Sequence, residues 1–194
     1  MPAISRVLPL SLNLPILGAL ALSVAACDRP SADPAQPQEE AAAPQDEQLS
    51  GTLDRSFAGE AMPVAQLTDP DGKTLALAET KGTPVLLNLW ATWCGPCVKE
   101  LPTLDALARR EGGKLHVVAL SQNMDPAKVA PFMAQHGIGT LRPFTDAKMA
   151  WLPAVTANLP TTLLFDSAGK EVWRTTGDLD WTGAAAAKAL AEVQ

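Results

Sequence analysis

Two stretches of the chain are almost continuously apolar, Pro84–Trp90 (PVLLNLW) and Leu115–Ser121 (LHVVALS). Short apolar runs bounded by turn residues suit strands buried on both faces. Between them Leu101, Leu104, Leu107 and Ala108 share one helical face, which predicts a helix over Cys97–Arg110 that ends at Gly112-Gly113. Upstream, Pro63–Thr68 and Lys73–Ala78 flank Asp69-Pro70-Asp71-Gly72 and read as a hairpin. Downstream, Asp125-Pro126 opens a helix running to Gly137, and Ala147–Val155 reads as a short helix. Thr161–Asp166 and Glu171–Thr175 form a strand pair around Ser167-Ala168-Gly169-Lys170, and Asp180–Val193 is the closing helix. Strand, helix, strand, helix, strand pair and final helix predict an α/β domain with a mixed central sheet and helices on both faces.

The first 50 residues follow different rules. Arg6 is the only charged side chain before Cys27, an apolar run spans Val7–Ala26, and small residues come just before Cys27. That is the layout of a secretory signal. Val24-Ala25-Ala26-Cys27 also resembles a bacterial lipobox, which implies removal of residues 1–26 and lipidation of Cys27. An uncleaved anchor and plain secretion are the alternatives; Pro9, Asn13 and Pro15 fit a spanning helix poorly. All three place the remainder outside the cytoplasm. Residues 28–50 hold Pro30, Pro34, Pro37 and Pro44, six acids against one base, and no bulky apolar residue before Leu49. Such a segment cannot bury enough surface to offset its ordering entropy, so an acidic, disordered Pro/Ala linker is expected. The predicted organisation is a signal over 1–26, a lipidated cysteine and linker over 27–50, and one domain over 51–194.

Charge narrows the function. The full chain carries 15 Lys+Arg against 21 Asp+Glu, net −6. Residues 51–194 hold 13 bases and 15 acids, so the domain is nearly neutral at −2. A binder that neutralises phosphates would be basic, so no nucleic-acid partner is expected. Three cysteines and two histidines are too few for a disulfide scaffold and leave little material for a structural zinc site. No metal and no cofactor is expected.

The chemistry concentrates at Trp93-Cys94-Gly95-Pro96-Cys97. A buried strand ends at Trp90, and Cys94 precedes a helix. Thiolates are the reactive form of cysteine, whose free pKa is ~8.5. A helix N-terminus stabilises an anion through its unpaired N–H groups and dipole. Cys94 is therefore expected as an acidified, exposed thiol. Cys97, about one turn further on, can close a short disulfide ring with it. Pro96 costs nothing in a first turn, where its missing N–H has no partner to lose. Cys-x-x-Cys between a strand and a helix is a strong redox signature.

With these residues in view, the sequence resembles the thioredoxin superfamily and, within it, the TlpA/ResA-like thiol-disulfide oxidoreductases. The resemblance rests on Val85–Cys97 (VLLNLWATWCGPC), Glu100-Leu101-Pro102 and Leu159-Pro160-Thr161-Thr162. It implies a thioredoxin fold with an N-terminal β-hairpin and a TlpA-type insertion near residues 126–136. It also implies a cis proline at Pro160, in the loop facing the cysteines, and a glutamate at Glu100 that takes a proton from Cys97. Cytosolic thioredoxin has a buried aspartate where this chain has Asn88, an amide that cannot shuttle a proton. Trp93 is expected to flank the reactive sulfur as a recognition surface, and Trp90 to be core, while Trp151, Trp173 and Trp181 could be core or rim.

The function so implied is an extracytoplasmic, periplasmic-side disulfide reductase, anchored to the membrane as a lipoprotein. Its partners would be disulfide-bearing proteins of cytochrome c maturation or metal-site assembly, and a membrane electron donor. A Cu(I) metallochaperone is an alternative, since soft thiolates select Cu(I). A thiol peroxidase is another, although Ala91 stands where Thr-x-x-Cys needs threonine.

Overall fold

The computed structural model describes residues 51–156 and 158–193. The expected signal, Cys27 and the linker lie outside the described residues. Within the domain the strands are β1 (Thr52–Asp54), β2 (Gln66–Thr68), β3 (Thr74–Ala76), β4 (Val85–Trp90), β5 (His116–Ser121), β6 (Phe144–Thr145), β7 (Thr161–Phe165) and β8 (Glu171–Thr176). The helices are α1 (Gly95–Glu111), α2 (Val129–Gln135), α3 (Trp151–Val155) and α4 (Ala184–Leu190), with 3₁₀ turns at Leu77–Thr80 and Pro126–Lys128.

All eight strands join one mixed sheet in the order β1-β8-β7-β4-β5-β6-β2-β3. β4 lies at its centre, parallel to β5 and antiparallel to β7. Every residue of β4 is buried, as its apolar run demands. Alternate side chains of β4 enter two cores. Leu86 and Trp90 pack with Leu101, Leu104 and Leu107 of α1, Met133 of α2 and Leu190 of α4. Val85, Leu87 and Leu89 pack with Leu67, Leu77, Phe144, Leu163 and Phe165, and with Trp151 and Val155 of α3. Helices therefore cover both faces, and the fold class agrees with the expectation.

Several boundaries differ from it. Helix α1 begins at Gly95 rather than Cys97, because Cys94 is its N-cap. Its C-terminus follows the sequence: Gly112 takes φ 54°, the left-handed cap conformation that glycine tolerates, with Arg109 and Arg110 in the last turn. The hairpin strands β2 and β3 are shorter than expected, since Leu77–Thr80 coils into a 3₁₀ turn. The closing helix is α4 alone. Its expected first turn is instead a loop in which Thr182 N–H and hydroxyl both bond Asp180 Oδ1. Strands β1 and β6 were not expected at all. β1 pairs antiparallel with β8, and β6 bridges β5 to β2.

Candidate active site

Strand β4 delivers the chain to Thr92 and Trp93, and Cys94 caps α1 with extended dihedrals (φ −91°, ψ 102°). Cys97 N–H donates to Cys94 Sγ at 3.3 Å. The first sulfur thus sits among the helix's otherwise unpaired amides, where a thiolate is stabilised. Pro96 occupies the first turn. Cys94 and Cys97 are joined as a disulfide with Cα atoms 5.3 Å apart.

In the disulfide Cys94 is 6% exposed and Cys97 is fully covered; the exposure expected of Cys94 is that of the free thiol. Both cysteines lie in the core cluster that holds Trp90 and Leu101. What stands exposed are the neighbouring Trp93, Gly95 and Pro96, with Trp93 at 64%. Trp90 is core, as expected, and so are Trp173 and Trp181.

Glu100, one turn beyond Cys97, is buried rather than solvated. Its Oε1 accepts from Asn88 Nδ2 at 2.7 Å. Its Oε2 accepts from Leu179 N–H at 3.1 Å and from the Trp181 indole N–H at 3.3 Å. Removal from water pushes its pKa up to about 7, against the pull of those three hydrogen bonds and with a small push from Asp178. Asn88 Nδ2 also donates to Thr162 Oγ1 at 2.9 Å, while its Oδ1 is buried without a partner. The loop before α4 is further fixed to α1 by Trp181 N–H on Thr103 Oγ1 and by an ion pair of Lys99 with Asp178. Thr162 and Trp181 as partners of this network could not be found by spacing, because they come from the far end of the chain.

The Leu159–Pro160 bond is cis, and Pro160 is buried at the start of β7. β7 pairs with β4, with Leu89 opposite Thr161. Among the described residues no cluster of three or more His, Cys, Asp or Glu could hold a metal ion. His116 and His136 fall in β5 and at the end of α2.

A mixed sheet whose central strand feeds a Cys-Gly-Pro-Cys disulfide into a helix N-terminus, and whose neighbouring strand follows a cis proline, defines a thioredoxin-fold dithiol protein. The chain belongs to the Redoxin family, whose profile matches residues 57–191, and is a thiol-disulfide oxidoreductase. It is 31% identical over 121 residues to thiol-disulfide oxidoreductase ResA of Bacillus anthracis, a match covering 62% of this chain and 70% of that protein. Against ResA of Bacillus subtilis it is 33% identical over 115 residues, 58% of this chain and 64% of that one. Among solved structures, a protein assigned as the thiol:disulfide interchange protein DsbE from Chlorobium tepidum matches with TM-score 0.61 and 25% identity. That match covers 73% of this chain and 99% of the other. The pneumococcal exposed lipoprotein thioredoxin of Streptococcus pneumoniae matches with TM-score 0.54 and 28% identity over 66% and 98% of the two chains.

Proposed function

We propose that this enzyme is an extracytoplasmic, membrane-tethered reductase of protein disulfides, serving cytochrome c maturation or metal-site assembly. The observation that supports the reductase reading is the pair Cys94-Gly95-Pro96-Cys97 at the N-terminus of α1, whose intervening residues are those of low-potential thioredoxin, with buried Glu100 one turn behind it. In the dithiol state the Cys94 thiolate attacks one sulfur of a substrate disulfide. A mixed disulfide forms, and the substrate's other sulfur leaves as a thiolate that takes up a proton. Cys97 then loses its proton and attacks Cys94 Sγ. The Cys94–Cys97 disulfide closes, and the second substrate thiolate is expelled and protonated. Two electrons pass from the enzyme to the substrate. Glu100, with a pKa near the operating pH and on the same helical face as Cys97, takes the Cys97 proton. A membrane dithiol donor returns the enzyme to its reduced state. Trp93 and the backbone beside Pro160 hold the extended substrate segment around its cysteine.

The tether reading rests on the sequence: a signal over 1–26, lipid on Cys27, and a linker to residue 50 ahead of the domain at 51–194. Among the described residues no helix is long and apolar enough to cross a membrane. Membrane-extracted protein should have an intact mass beginning at Cys27 with acyl groups added; a mature form starting elsewhere overturns the anchor.

The reductase reading is tested by cysteine variants. Cys94→Ser should abolish insulin reduction, and Cys97→Ser should accumulate mixed disulfides with substrates. Equal trapping by Cys94→Ser would reverse the assignment. Equilibration with thiol buffers should give a potential more negative than about −180 mV, the protein disulfide isomerase value. A more positive potential makes the protein an oxidant or isomerase.

A further inference from the structure

The loops that follow β4 and β5 are locked together beside Cys94. Thr92 N–H donates to Asn123 Oδ1 at 3.0 Å, and Asn123 Nδ2 donates back to Thr92 Oγ1 at 2.7 Å. Ser121 Oγ donates to the same Asn123 oxygen at 2.9 Å, and Gln122 N–H bonds Trp90 O at 2.8 Å. Asn123 is itself buried. This clasp fixes the residue two positions ahead of the reactive cysteine. It also fixes what comes next on each loop: Trp93 after Thr92, and Met124 after Asn123.

Those two neighbours are unusual on this surface. Among the described residues the large hydrophobic side chains left exposed are Val64, Trp93 and Met124, and Met124 is 79% exposed. β4 and β5 are parallel, so both loops lie at the same end of the sheet. The flanking charges are paired: Asp125 with Lys128 at 3.7 Å, and Lys99 with Asp178 at 3.4 Å. Gly95 and Pro96, which follow Cys94 in the chain, are exposed and uncharged.

From this arrangement we propose that Met124 is a specificity-determining residue, placed by the Asn123–Thr92 clasp. With Trp93 it forms an apolar rim that receives an uncharged, apolar side chain next to the target cysteine of a substrate protein. Thioether side chains adapt to varied apolar shapes, which suits a rim that must accept several sequences. A charged flanking side chain would lose hydration against these apolar groups. The proposal deepens the reductase reading and rests on it.

The test uses two disulfide-bonded peptides that differ only in Leu or Lys beside one cysteine, with hydroxyethyl disulfide as a small substrate lacking any flank. Wild type should favour the Leu peptide by about tenfold in kcat/KM, chiefly through KM, the scale expected for one apolar side chain. Met124→Ala should lose most of that preference and keep its rate with hydroxyethyl disulfide. Thr92→Val, which removes the hydroxyl of the clasp, should weaken the preference, and Thr92→Ser should restore it. Val64→Ala, at an exposed apolar residue outside the clasp, should behave as wild type. Equal handling of the two peptides by wild type, or an equal loss on all substrates in Met124→Ala, overturns the proposal. Failure of wild type to reduce any of the three overturns the reductase reading itself, and the rim proposal with it.

Discussion

Asn88 Nδ2 and Glu100 Oε1 meet at 2.7 Å, tying the central strand to the catalytic helix one turn beyond Cys97. Both residues are buried. A carboxyl in that setting is held by donors yet short of water, so its protonation couples to stability and to turnover.

The first consequence is a pH-dependent stability. Glu100 is raised from 4.5 to about 7 in the folded protein. Its favourable contribution is fully present below pH ~4.5 and is lost as pH rises through about 7. At 1.36 kcal/mol per pH unit the loss amounts to roughly 3 kcal/mol. Urea unfolding of the oxidised protein at pH 5 and pH 8 should show this decline, and Glu100→Gln should flatten it.

A second carboxylate at the strand position should exaggerate the effect. Asn88→Asp removes the Nδ2 donor and sets a like charge against Glu100, so at least one of the pair titrates higher than Glu100 does alone. The variant should be destabilised at pH 8, recover at pH 5, and show its insulin-reduction pH profile displaced to higher pH. An unmoved profile would mean that Glu100 does not serve the resolving step.

Asp105 makes the opposite prediction. Burial alone would raise its pKa. Donation from Leu141 and Thr140 N–H, with Arg109 beside it, holds it below the usual carboxylate value. Its stabilising contribution is present above pH ~4 and disappears as pH falls through the depressed folded value. Asp105→Ala should cost about 2–4 kcal/mol at pH 7, since two N–H groups lose their acceptor. The gap to wild type should shrink toward pH 2 in acid denaturation.

Much of this site was legible because its determinants are local. The apolar run of β4, Cys-x-x-Cys and the glycine stop of α1 each act over a few residues. The burial of Glu100 did not follow from its helix position, because it depends on partners 12, 79 and 81 residues away. Asn123 carries no sequence signal for the same reason, its clasp to Thr92 spanning 31 residues. Strands β1 and β6 are three and two residues long, too short for any alternation, and exist because neighbouring strands present open edges.

Strand β1 also depends on one glycine. A Cβ on Gly51 would stand 2.2 Å from Thr175 Oγ1 and 2.7 Å from Thr176 O. Gly51→Ala should therefore loosen the pairing of β1 with β8 and cost about 1–3 kcal/mol, the usual range for overpacking. Hydrogen exchange should show faster exchange at Asp54 and Thr176, with the pattern around Cys94 unchanged.

That pairing also places the start of β1 relative to the redox pair. Across the sheet Thr52 faces Thr176, Thr176 faces Thr161, and Thr161 faces Leu89, the residue that leads into Trp90 and the cysteines. The point where the chain enters the domain and the point where the redox pair leaves the sheet thus share one rim. They are three strand spacings apart, about 15 Å. A partner large enough to cover that rim at the redox pair also covers the start of β1.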